Sequence, residues 1–138
     1  METVWREQMA LNYAPLDEEH QKFIQVVNAA KEASENKNLM QVENVFDKCY
    51  AYVRNHFSHE EALMEKLNYP DVINHMKSHQ IFIKNISELR QNFEFSQEEE
   101  KFVVAERLSD FLSVWFIGHV LSRDSLLKPY LQKLNTEN

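Results

Sequence analysis

VRNHFSHEEALMEKL, residues 53–67, is the stretch on which the reading of this chain turns. Consecutive residues of an α-helix are turned by about 100°, so residues four apart share a face. On that wheel His56 and Glu60 fall inside the apolar stripe of Val45, Phe46, Cys49, Val53, Leu63, Met64 and Leu67. A polar pair in the middle of such a stripe is costly to bury unless something partners it.

The same conflict recurs along the chain. His75 and His79 share a stripe with Val72, Met76, Phe82, Ile83, Ile86 and Phe93. His20 lies with Phe23, Ile24, Val27 and Ala30, and His119 with Phe102, Ala105, Leu108, Leu112, Trp115 and Phe116. One such residue could be a core histidine bonded to a backbone carbonyl. So many, on separate helical stretches, need a common partner, and a transition-metal centre inside a helical bundle supplies one. Asp124 would stand about 140° round an ideal helix from His119. Either the helix distorts near Gly118, or Asp124 reaches in from its fraying end. Gly118 itself reads as a tight-packing position or as space beside the metals. His59 lies about 90° from the stripe centre and reads as a boundary residue, not a ligand.

Four helices carry these residues, about 17–34, 38–67, 70–93 and 96–119. Asn38 with Gln41, and Ser96 with Glu99, have capping-box spacing. Pro70 suits the first position of the third helix, and the run Glu98, Glu99 and Glu100 suits the start of the fourth. A short amphipathic piece, 125–134, is interrupted by Pro129. Short connections between long helices imply antiparallel neighbours. The expected fold is all-α: one domain over residues 1–138, an antiparallel up-down-up-down four-helix bundle with an N-terminal arm and a short C-terminal helix.

Composition narrows the function. A single Gly in 138 residues argues against tight hairpins and phosphate-cradling loops. A net charge of -7 without a basic cluster argues against nucleic acid and anionic membranes as partners. The start has no apolar signal region, and no run approaches a membrane span. Cys49 is the only cysteine, so no internal disulfide can form; a reducing, cytoplasmic location is expected, with Cys49 as a small buried apolar group.

The ordered set His20, His56-x-x-x-Glu60, His75-x-x-x-His79, His119-x-x-x-x-Asp124 resembles the signature of the hemerythrins, oxygen-binding non-haem di-iron proteins. Leu16-Asp17-Glu18-Glu19-His20, His56-Phe57 before Glu60-Glu61, Trp115 four residues before His119, and Trp5 in the arm add to the likeness. The resemblance implies two Fe ions, one bound by His75, His79 and His119 and the other by His20 and His56. Glu60, Asp124 and an oxo or hydroxo group would bridge them. Phe23, Phe57, Trp115, Phe116 and Val120 would line an oxygen pocket, and each of these also reads as ordinary core packing. That donor count is one short of two six-coordinate irons, and the resemblance puts the gap beside His20 and His56. It implies reversible O2 binding for storage, delivery or sensing, with no catalytic residues. A di-iron enzyme handling peroxide or nitric oxide, or an iron store, are the alternatives. Imidazole and carboxylate donors also suit Zn, Mn and Co.

Overall fold

The computed structural model describes residues 2–136, and among them there are helices and turns but no strand. The helices are α1 (Ala14–Glu35), α2 (Leu39–Tyr52), α3 (Ser58–Lys66), α4 (Val72–Phe95), α5 (Glu98–Ser122) and α6 (Lys128–Thr136). A π-helical turn, Val53–Phe57, joins α2 to α3 without a break, so the two form one long rod. Short 3-10 turns occupy Glu7–Met9 and Asp124–Leu127. α1 packs on α2 and α5, and α4 packs on α3 and α5, which closes an up-down-up-down bundle with α6 as the short C-terminal addition.

Local chemistry explains most of the helix ends. Asn38 Oδ1 accepts from the Gln41 backbone N–H at 3.1 Å, the expected cap. Lys37 and Asn68, both at φ 52°, take the left-handed position that follows a helix. There Asn38 N–H donates to Ala33 O and Tyr69 N–H to Met64 O, which ties off carbonyls left by α1 and α3. Glycine would fit these positions without strain, and this chain has almost none.

Three expectations about boundaries are corrected. Ser96 does not cap α5: Gln97 holds that place, and Ser96 Oγ donates back to Asn92 O at the end of α4. Pro70 lies in the turn before α4, whose first residue is Val72. Pro129 interrupts nothing. It sits in the first turn of α6, where its missing N–H has no helical partner to lose.

The apolar side chains form two clusters. The larger holds Phe23, Phe46, Phe82, Phe93, Leu108, Leu112 and Phe116 among others, and the smaller holds Leu11, Leu16, Leu63, Met64, Tyr69, Leu127 and Leu131. The N-terminal arm is pinned by paired 2.8 Å hydrogen bonds between the Thr3 backbone and the Asn28 side chain, with Met9 and Leu11 buried. Met76, expected inside, is exposed. Among the described residues no helix is long and apolar enough to cross a membrane.

Candidate metal centre

Between the two clusters lies a buried polar layer. His20, His56, Glu60, His75, His79, His119 and Asp124 are all nearly inaccessible to solvent. His20 comes from the second turn of α1, His75 and His79 from α4, and His119 from the end of α5. The π turn supplies His56. It carries more residues per turn than an α-helix, and here two neighbours, His56 and Phe57, both point inward. Tyr52 takes the inward place that the regular wheel gave to Val53, which is only partly buried. α5 ends at Ser122, Arg123 turns the chain, and Asp124 opens the next 3-10 turn. Asp124 therefore reaches in from beyond the helix end. Gly118 is exposed and has no atom within 4 Å of where a Cβ would stand, so it neither packs tightly nor leaves room in the layer.

The seven side chains meet in two overlapping groups. Glu60 turns Oε1 towards three imidazoles: His75 Nε2 in direct contact, His79 Nε2 at 3.1 Å and His119 Nε2 at 3.8 Å. Its Oε2 faces His56 Nε2 at 3.1 Å and His20 Nε2 at 3.8 Å. Asp124 divides itself in the same way. Its Oδ1 is 3.0 Å from His119 Nε2 and 3.1 Å from His75 Nε2, while Oδ2 is 3.0 Å from His20 Nε2. His20 and His56 bring their Nε2 atoms within 3.1 Å of each other.

Several of these contacts miss the angles of a hydrogen bond. Glu60 Oε2, His119 Nε2 and both Asp124 oxygens are buried without a hydrogen-bond partner among the described residues. Unpaired buried oxygens are costly. Donor atoms that crowd together yet do not aim at one another fit a cation placed between them. Two groups satisfy that geometry: Glu60, His75, His79 and His119, and His20, His56, Glu60 and Asp124.

The charge balance makes the same demand. Burial opposes ionisation of Glu60, but its imidazole neighbours His119, His56, His75 and His79 hold its pKa well below the usual carboxylate value. Asp124, opposed by burial and by Glu60, is likewise lowered by His119 and His20. Burial depresses the basicity of His56, His75 and His119, yet contacts with carboxylates (Glu19 and Glu60 for His56, Asp124 and Glu60 for the other two) raise each from 6.5 to about 9. Protons on these rings supply the positive charge that two buried carboxylates require. A divalent cation with the same neighbours would replace them.

Imidazole orientation is set from behind. His56 Nδ1–H donates to Glu19 Oε1 at 2.8 Å, His79 Nδ1–H to Glu61 Oε2 at 2.8 Å, and His119 Nδ1–H to Ser78 Oγ at 2.7 Å. Such partners fix the ring orientation and aim Nε2 into the layer, where a bound metal would take the place of its proton. Each of these rings also stacks on an aromatic: His56 on Tyr52 at 4.5 Å, His79 on Phe57 at 3.8 Å, His119 on Trp115 at 4.4 Å. Glu19, Glu61, Ser78 and Tyr52 were not identified by residue spacing. Only the adjacency of Glu19 to His20 and of Glu61 to Glu60 hinted at two of them. His59, half-exposed, donates to Glu19 at 3.0 Å and stays at the boundary as expected.

The residues expected to wall a pocket divide between the two groups. Phe116 meets His20 edge-on at 6.0 Å, with Phe23 5.5 Å from Phe116. Phe57 and Trp115 lie against His79 and His119, and Val120 is fully buried in the large cluster. Cys49 is a free thiol within that cluster, its pKa pushed up by burial, as suits an inert apolar group.

Comparison with known proteins points to a cation-binding family. The family profile of the hemerythrin HHE cation binding domain matches residues 11–131. The bacteriohemerythrin of Stenotrophomonas maltophilia is 28% identical over 121 residues, 88% of this chain and 76% of the relative. That of Clostridium acetobutylicum is 24% identical over 125 residues, 88% of this chain and 95% of the relative. That of Methylococcus capsulatus is 25% identical over 115 residues, 83% and 85% respectively. With its fold, its buried donor set and a profile match over most of its length, the chain belongs to the hemerythrins, a family of di-iron, oxygen-binding proteins.

Proposed function

We propose that this protein binds dioxygen reversibly at a non-haem di-iron centre and serves oxygen storage, delivery or sensing in the cytoplasm, without catalytic turnover. One observation carries the reading: Glu60 and Asp124 each turn one carboxylate oxygen to each of the two imidazole groups. In this reading His75, His79 and His119 hold one iron, His20 and His56 hold the other, and Glu60, Asp124 and a solvent-derived oxo or hydroxo group bridge them. A di-iron pair supplies the electrons that reversible dioxygen binding needs.

The protein's own residues account for the rest. Glu19, Glu61 and Ser78 keep three imidazoles turned inward, so the donor set is organised before a metal arrives. Phe23 and Phe116 cover the side of His20, where the donor count is lower, and exclude water and protons from it. Phe57 and Trp115 seal the other side, and Val120 adds buried apolar bulk to the same core. Five neutral imidazoles with two carboxylates leave more positive charge on bound metal than the carboxylate-rich sites of other helical di-iron proteins. That balance favours binding and release over cleavage of the O–O bond.

Anaerobic ferrous protein exposed to air tests this directly. About two irons per chain are expected, with a near-ultraviolet and visible charge-transfer band that bleaches under vacuum and returns with air. A band that decays while peroxide is consumed would instead indicate an enzyme. Spectra insensitive to oxygen, with metal bound, would indicate a store.

A further inference from the structure

A cavity of about 340 Å³ opens between α1 and the end of α2; the proposed oxygen chemistry uses residues of its inner wall but not its mouth. Phe23, Val26 and Ala51 give it an apolar floor, and Tyr52 and His56 form its inner wall. Lys22 and Lys48 line it from opposite helices, both exposed and neither in an ion pair among the described residues. Glu19 is the one acid in the lining, and its carboxylate is already engaged by His56 at 2.8 Å and His59 at 3.0 Å. In a chain of net charge -7, this mouth carries two uncommitted cations.

We propose that the groove is a binding site for a small carboxylate with an apolar body, and that its occupancy is felt at His56. The volume lies at the low end of small-molecule sites, roughly 300–1,000 Å³. An apolar chain laid on Phe23, Val26 and Ala51 leaves water, while its carboxylate takes charge-assisted hydrogen bonds from Lys22 and Lys48. An amine of the same shape meets two like charges, and an alcohol loses the ionic anchor. His56 in the inner wall is held by its hydrogen bond to Glu19, so the apolar body seated in the groove packs against the contact that fixes the orientation of that ring. This second half rests on His56 being a metal ligand; the binding itself does not.

Octanoate is the probe, titrated by calorimetry into the purified, metal-loaded full chain, with octanol and octylamine alongside. We expect octanoate to bind and octylamine not to, and the Lys22→Glu, Lys48→Glu double variant to weaken octanoate at least fivefold. Lys22→Gln with Lys48→Gln should give a smaller loss in the same direction. Equal binding of all three probes, or octanoate binding indifferent to both variants, overturns the site. So does a change in the visible spectrum that survives charge reversal, since the carboxylate would then be sitting on the metal. For the coupling, release of metal to a chelator should change at least twofold with octanoate saturating; an unchanged rate overturns that half alone. Parent protein that holds no metal would defeat the reading of the centre, and calorimetry would still decide the groove.

Discussion

Of the three imidazoles contributed by α4 and α5, two are clamped from behind and stacked face to face: His79 by Glu61 and Phe57, His119 by Ser78 and Trp115. In the other half of the layer, His56 has Glu19 and Tyr52, but His20, like His75 in the first half, has no Nδ1 partner among the described residues and meets Phe116 only edge-on. The first half is built on regular helix. The second needs a π turn to bring His56 in. Its aromatic neighbours Phe23 and Phe116 lie against each other and not flat on a ligand ring. One half thus has three imidazoles, two of them braced, and the other has two, one of them braced, beside an apolar wall. A small ligand needs the second kind of environment and a metal pair needs both.

An acid shared by the halves, Glu60 or Asp124, should matter more than any imidazole that belongs to one. Glu60→Ala removes an oxygen from each group, and total iron should fall from about two per chain to well below one, measured colorimetrically after anaerobic loading. His20→Ala and His79→Ala should each lose the oxygen-sensitive band. His79→Ala should lose more metal, because it takes a clamped and stacked ligand from the better-braced half. If His79→Ala keeps both metal and reversible binding, the ligand assignment is wrong. Smaller again is the effect of the bracing residues. Glu19→Gln leaves the donors in place but weakens the acceptor behind His56, and metal affinity should drop roughly tenfold to a hundredfold. Competition with a chromophoric chelator measures it, and Glu61→Gln should behave alike if bracing acts the same way in both halves.

How much of this was legible depended on whether the cause was local. The His56–Glu60 and His75–His79 pairs were readable because helical spacing places both members on a face that apolar neighbours had already committed to the core. Asp124 was ambiguous by the same rule, since its position depends on where α5 stops, and the turn at Arg123 has no sharp signal. The π turn was invisible: nothing in residues 53–67 distinguishes it from α-helix except that His56 and Phe57 are both inside. Glu19 behind His56, and Ser78 behind His119, lie 37 and 41 residues from their partners, so only the assembled bundle reveals them. Ser96 failed as a cap because its hydroxyl is satisfied one turn back, at Asn92.

Without metal, protons do the cation's work in both halves, and pH should expose it. His56, His75 and His119 are raised from 6.5 to about 9 in the folded state. A raised folded pKa contributes stability that is fully present below 6.5 and is lost as pH climbs through about 9. The melting temperature of metal-free protein should therefore fall across that window, by about 5 °C or more. Metal-loaded protein, whose imidazoles have already released those protons, should show no such fall. A flat profile for the metal-free form would mean the rings are neutral and the carboxylates are balanced in some other way.

The smallest effect expected lies outside both halves. Gly118 stands one residue before His119, close enough in sequence to suggest that its missing side chain serves the centre. Its surroundings say otherwise, since a Cβ there would meet nothing within 4 Å. Glycine inside an exposed helix is about 1 kcal/mol worse than alanine because more backbone freedom is lost on folding. Gly118→Ala should therefore stabilise the protein by about that amount, raising the melting temperature by about 3 °C, while metal content and the oxygen-sensitive band stay unchanged. A loss of either would mean that the end of α5 must flex to set His119 and Asp124, and the contrast between a braced half and a loose one would then have to include the backbone that carries them.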